Sequence, residues 1–130
     1  MNIVIVDNDT AILRSLTLVL GQEGHRVASF SDPRRALIHF VRRHPVDVLL
    51  VDYAMPEMNG DELLHLLKRK IPGTCRIVMM SAHRGLRWNL DTEKLGIHAF
   101  LEKPIELAAL KQALSASIAT PPSLTTNQRK

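Results

Sequence analysis

Val48-Leu49-Leu50-Val51-Asp52-Tyr53-Ala54-Met55-Pro56-Glu57-Met58-Asn59-Gly60 is the stretch on which the fold turns. Its four leading aliphatic residues have no polar alternation, so they read as a strand buried on both faces. Asp52 ends that run. A loop containing Pro56 and Gly60 then leads to Leu63, Leu64 and Leu67, spaced for the inner face of a helix.

The same unit recurs on either side. Upstream, Ile3 to Val6 is a second β-branched run, followed by Asp7-Asn8-Asp9-Thr10 and a helical stripe of Ile12, Leu16, Val19 and Leu20. Gly21 and Gly24 are expected to stop that helix. Arg26 to Phe30 reads as a strand. Asp32-Pro33 reads as an N-cap and first helical residue, with Ala36, Leu37, Phe40 and Val41 as the apolar stripe and Pro45 as its end.

Downstream, Ile71-Pro72-Gly73 breaks the third helix. Ile77 to Met80 is a strand ending at Ser81. A helix is expected from about His83 to Leu95, although Gly85, Asn89 and Thr92 favour it poorly, and Gly96 caps it. His98 to Leu101 is a short fifth strand, and Lys103-Pro104 follows. Leu107, Leu110, Ala113 and Leu114 mark the last helix. Pro121-Pro122-Ser123 reads as a tail or the start of a linker. Five strands, each followed by a helix, predict an α/β fold with an open parallel sheet.

The 130 residues suit one domain, and the 45% hydrophobic and 23% charged content is that of a globular chain. A lone Cys75 excludes an internal disulfide framework and suggests a reducing compartment. The strand-like run begins at Asn2, leaving no room for a signal peptide, and no apolar run approaches the ~18 residues of a membrane span. A cytoplasmic protein is expected. Seventeen Lys and Arg against thirteen Asp and Glu give a net charge of +4. The basic residues Arg34-Arg35, Arg42-Arg43-His44 and Lys68-Arg69-Lys70 read first as solvated helix faces. No zinc finger, recognition helix or aromatic-interleaved basic stripe is present, so direct nucleic-acid binding is not expected.

In open parallel sheets the binding crevice lies beyond the carboxyl ends of the strands. Here those ends carry Asp7, Asn8 and Asp9, then Asp52, Ser81 and Lys103. Crowded carboxylates repel unless a cation joins them, and oxygen donors suit a hard ion such as Mg²⁺. A carboxylate so held beside a lysine and a hydroxyl can attack phosphorus, which suggests an aspartyl-phosphate site.

Val6-Asp7-Asn8-Asp9, Asp52 to Gly60, Met80-Ser81-Ala82 and Phe100-Leu101-Glu102-Lys103-Pro104 together resemble the receiver domain of bacterial two-component response regulators. The likeness covers residues 1–118, with 119–130 outside it. It implies the doubly wound sheet of order 2-1-3-4-5, for which this family is the handiest illustration. It also implies that Asp52 is the phosphoacceptor. Mg²⁺ or Mn²⁺ would be held by Asp7, Asn8, Asp52 and the main-chain carbonyl of Ala54, with Asp9 as a further candidate. Lys103 would pair with the phosphoryl group, and Ser81 and Phe100 would be switch residues. Pro104 would follow a cis peptide that aims Lys103 into the crevice. Ala54 and His83 occupy positions that tune hydrolysis. The expected partners are a histidine kinase or histidine phosphotransfer protein, a downstream effector or fused output domain, and a phosphorylation-dependent homodimer. No substrate turnover is expected.

One position departs from that pattern. The second member of the acidic pair falls on Asn8, which removes a negative charge and predicts weaker metal binding. Asp9 also suits an N-cap. A degenerate receiver acting without phosphorylation is the alternative that Asn8 supports. A haloacid-dehalogenase-like phosphatase would use Asp7-x-Asp9, but leaves Asp52 and its loop unexplained.

Overall fold

The computed structural model describes residues 1–82 and 90–115. Five strands, β1 (Asn2–Val6), β2 (Arg26–Phe30), β3 (Val48–Asp52), β4 (Arg76–Ser81) and β5 (Ala99–Glu102), alternate with α1 (Thr10–Gln22), α2 (Pro33–Val41), α3 (Gly60–Leu67), α4 (Thr92–Leu95) and α5 (Leu107–Ser115). The strands form one parallel sheet of order β2-β1-β3-β4-β5. This is the doubly wound fold expected above.

Strand alternation divides the core into two layers. Val4, Val6, Leu49, Val51, Ile77 and Met79 face α2 and α3, packing with Phe40, Leu63, Leu64 and Leu67. Ile3, Ile5, Val48, Leu50, Val78 and Met80 face α1 and α5, packing with Leu13, Leu16, Leu20, Leu110 and Leu114. Fully burying each such side chain contributes about 1.5–3 kcal/mol. Arg76 is also buried, and its Nε donates to the Ala113 carbonyl at 2.5 Å, tying α5 to β4.

Several helix boundaries and faces differ from expectation. The first helix continues through Gly21 to Gln22, and the chain turns at Gly24, where φ is 90°. Its third buried residue is Leu13, while Ile12 and Val19 lie only half-buried. α2 ends at Val41, ahead of Pro45, because Arg43 adopts a left-handed φ of 59°. Val41 is 53% exposed and Leu107 49%, so neither belongs to the core. α3 likewise ends before Ile71-Pro72-Gly73. The fifth strand starts one residue later than expected, at Ala99.

The fourth helix differs from expectation at residues 90 and 91, which are not helical. Residues 83–89 of the expected segment lie outside the described residues. Within them, the helix begins only at Thr92, because the Asp91 carboxylate accepts from the Lys94 amide and fixes the N-terminus there. Gly96, at φ 75°, closes it as expected.

Candidate functional site

The sheet's geometry brings the polar strand ends together. Val6 pairs with Val51 across β1 and β3, so Asp7 and Asp52 each stand one residue beyond an aligned pair. Both carboxylates are buried, with Asp7 fully so and Asp52 4% exposed. Two such charges would be strongly destabilising without a counterion. Lys103 supplies it, its Nζ lying 2.8 Å from Asp7 Oδ2 and 3.0 Å from Asp52 Oδ1. Lys103 reaches the crevice from the end of β5, where its backbone N–H donates to the Ser81 carbonyl at 2.8 Å and the Lys103–Pro104 peptide is cis.

Burial raises the Asp52 carboxyl above its ordinary value; Lys103 opposes that rise and Asp7 adds to it. Burial alone would depress Lys103, but hydrogen bonds and charge from Asp7 and Asp52 outweigh it and hold the ammonium above its usual range. The crevice thus favours one fixed cation and gains from a second.

Asn8 stands at the mouth. The end of its side-chain amide lies 3.2 Å from the Ala54 carbonyl oxygen and 3.3 Å from Asp52 Oδ2. With nitrogen facing these atoms, it donates to both. With oxygen facing them, three acceptors converge with no proton between them, and only a cation relieves that. The donor set is two carboxylates, an amide and a carbonyl, all hard oxygen ligands of the kind Mg²⁺ takes. Among the described residues no group of three His, Cys, Asp or Glu side chains forms a metal cluster. The amide and carbonyl therefore have to complete any such site, and their positions fit that role.

Asp9 has another occupation. Its Oδ1 accepts from the Ala11 amide at 2.9 Å and the Ile12 amide at 3.3 Å, capping α1. Its own amide donates to Asp7 Oδ1 at 2.9 Å and so orients that carboxylate. Ser81 is 8% exposed and falls on the sheet face opposite Met80. Phe100 is half-buried and packs on that same α2–α3 face. Ser81 and Phe100 thus share a face, as a coupled pair requires. His83 lies outside the described residues.

Gly60 matters for a reason that motif reading did not supply. A β-carbon there would lie 2.5 Å from the Asp52 carbonyl oxygen, and its N–H donates to the Tyr53 carbonyl at 2.6 Å. The loop folds back tightly onto Asp52, so only glycine fits. The sequence marked Gly60 by its place in the Asp52 to Gly60 segment and as a glycine at the start of a helix, where a better helix former is normal, but not by what it packs against.

Fold and site together define a doubly wound α/β protein with a lysine-bridged carboxylate crevice at its strand ends. The chain matches the response regulator receiver domain over residues 3–115 and belongs to that family. It is 32% identical over 125 residues to the DNA-binding transcriptional regulator NtrC of Azospirillum brasilense, covering 93% of this chain and 25% of that protein. The chain spans about a quarter of the length of most of the curated relatives it matches. Among solved structures, a sensor protein from Polaromonas sp. JS666 is 30% identical, with a TM-score of 0.79 and coverage of 90% of this chain and 94% of that one. The response regulator protein TrrA from Thermotoga maritima, solved in complex with Mg²⁺-BeF, shares the fold at 22% identity and a TM-score of 0.75, covering 85% and 93%. The chain is thus a receiver domain of the two-component signalling type. The dehalogenase-type phosphatase reading loses its basis with this assignment. Among the described residues no helix is long and apolar enough to cross a membrane.

Proposed function

We propose that this receiver is phosphorylated on Asp52 by a histidine kinase or histidine phosphotransfer protein, in a reaction requiring Mg²⁺ or Mn²⁺. One observation carries the reading: Asp52 has Oδ1 on Lys103 at 3.0 Å and Oδ2 facing the Asn8 amide and the Ala54 carbonyl. That arrangement holds the Asp52 carboxyl oriented between a cation and two further polar groups.

An Asp52 oxygen attacks phosphorus of the phosphohistidine. The O–P bond forms, the N–P bond breaks, and the imidazole leaves with the electron pair. Asp7, the Asn8 amide oxygen, Asp52 and the Ala54 carbonyl would hold the ion, which supplies charge stabilisation to the transferring oxygens. Lys103, already between both carboxylates, shifts to pair with the new phosphoryl oxygens. Ser81 donates to the same group, and Phe100 on the shared face follows it inward. The readout surface is α4, β5 and α5, whose equilibrium the added charge biases. Asp9 serves the cap of α1 and the orientation of Asp7. Residues 1–118 form the receiver and 119–130 begin a linker or tail. An effector or fused output domain receives the signal in the cytoplasm.

The test is labelling with acetyl phosphate in Mg²⁺, followed by intact mass. Wild type should gain one phosphoryl group, while Asp52→Asn and EDTA-treated protein should gain none. Label persisting in Asp52→Asn would place the acceptor elsewhere. No label in wild type would leave a phosphorylation-independent interaction module.

A further inference from the structure

The fold brings together two basic triplets that lie far apart in sequence. Arg42-Arg43-His44 follows α2, and Lys68-Arg69-Lys70 follows α3. Between these helix ends lies a groove of about 650 Å³, with Arg43, Arg69 and Lys70 on its rim and Val41, Ile71 and Pro72 among its apolar walls. It sits beside the amino ends of β3 and β4, a strand length (~16 Å) from Asp52.

Three features set this groove apart from a solvated helix face. No acidic residue lines it. The ion pairs among the described residues join Arg34 to Asp32, Lys103 to Asp7 and Asp52, and Lys111 to Glu23, so none neutralises the two triplets. The nearby Asp47 carboxylate is committed to the Asn2 amide at 2.6 Å. Five Lys and Arg therefore crowd one end of a chain whose whole net charge is +4. Second, the charge comes with exposed apolar surface, since Val41 is 53% exposed. Third, Arg43 holds a left-handed φ of 59°. Glycine is the ordinary residue just past a helix end, and a side chain there costs about 1 kcal/mol or more. An arginine kept at that cost points to a use for its guanidinium.

We propose that this groove binds an acidic segment of a partner protein. Its carboxylates pair with Arg43, Arg69 and Lys70, and an aliphatic side chain seats against Val41, Ile71 and Pro72. A nucleic acid fits less well. Of the groove's rings, Phe40 is only 2% exposed and one face of the His44 imidazole is covered by His39 at 4.5 Å, so little ring surface is left for a base, and a phosphate backbone has nothing to place on the apolar walls. The chain's own residues 116–130 contain no Asp or Glu and do not complement it. Because the groove lies at the sheet end opposite Asp52, docking there leaves the phosphorylation crevice open.

The probe is a fluorescein-labelled Gly-Glu-Leu-Glu-Leu-Glu-Gly peptide, followed by anisotropy with the unphosphorylated full chain. Reversing Arg43→Glu and Arg69→Glu together should weaken binding about tenfold or more. Arg14→Glu with Arg35→Glu makes the same change in net charge elsewhere and should leave affinity within about twofold. Arg43→Gly, which relieves the backbone, should match or exceed wild-type thermal stability while still weakening the peptide about threefold. Replacing both peptide leucines by serine should weaken it further, and a labelled oligothymidylate should bind less tightly than the peptide. Equal losses in the two charge-reversed pairs, unchanged binding by Arg43→Gly, tighter oligonucleotide binding, or no peptide binding by wild type would each overturn the proposal.

Discussion

Replacing Asn8 with aspartate should destabilise the metal-free protein and strengthen its hold on Mg²⁺ by a similar free energy. In the metal-free crevice, Asp7 and Asp52 face one ammonium, Lys103, for a local charge of −1. A carboxylate in place of the amide would sit near Asp52 Oδ2, now 3.3 Å from the Asn8 amide, and near the Ala54 carbonyl at 3.2 Å. Like charges at that separation repel by about 1 kcal/mol at the dielectric of water and about 5 kcal/mol at an effective value of 20. Protonating one carboxylate at pH 7 limits the repulsion to about 4 kcal/mol. The lost amide hydrogen bonds add about 1 kcal/mol each. Metal-free Asn8→Asp should therefore be less stable than wild type by about 3–6 kcal/mol. The bound ion removes the repulsion, and the wild-type amide must give up the same hydrogen bonds to turn its oxygen to the ion, so affinity should rise about 10²- to 10⁴-fold. Urea unfolding in EDTA reads the first effect, and calorimetric Mg²⁺ titration reads the second. At saturating Mg²⁺ the two stabilities should converge through binding linkage. Equal stability in EDTA, or equal Mg²⁺ affinity, would refute the placement of Asn8 against Asp52 and Ala54.

Two further outcomes test other parts of the site and core. Gly60→Ala forces a β-carbon against the Asp52 carbonyl, 2.5 Å away, and should cost about 1–3 kcal/mol of stability in urea unfolding. It should also slow acetyl phosphate labelling more than a comparably destabilising core substitution such as Ile3→Val, because it moves the acceptor strand end. Cys75 is buried, and burial pushes its thiol up to about 12 from an ordinary 9.0. A raised folded value means its contribution is full below pH 9.0 and is lost as pH climbs through about 12. Unfolding stability of wild type should thus fall more steeply than that of Cys75→Ala between about pH 9 and 12. The native thiol should stay inert to iodoacetamide at pH 8 and react once urea unfolds the chain.

The fold was legible because its signals are local. Short unbroken β-branched and aliphatic runs such as Ile3 to Val6 and Val48 to Val51 suit two-sided parallel strands, and Asp32-Pro33 and Gly96 sit where the caps were read. The crevice was legible for the same reason: a strand's last residue points at the carboxyl edge wherever the strand lies in the sheet. Helix ends were less so. A glycine interrupts a helix only when tertiary contacts do not hold it, and α1 packs its Leu20 firmly enough to run through Gly21. Val41 and Leu107 fit an apolar stripe by spacing but fall at helix ends beyond the reach of the sheet.

Composition, periodicity and motif order thus determined that this chain is a doubly wound sheet with acids, a serine and a lysine at its strand ends. Neighbour relations across the fold were decided only in three dimensions. Lys103 meets Asp7 from 96 residues away. Asn8 finds Ala54 and Asp52, Gly60 finds the Asp52 carbonyl, and two distant basic triplets flank one groove. Hydrophobic periodicity constrains each element's own face, whereas these contacts depend on how the elements register against one another. That register is set by the packing of the whole core and written in no single stretch of sequence.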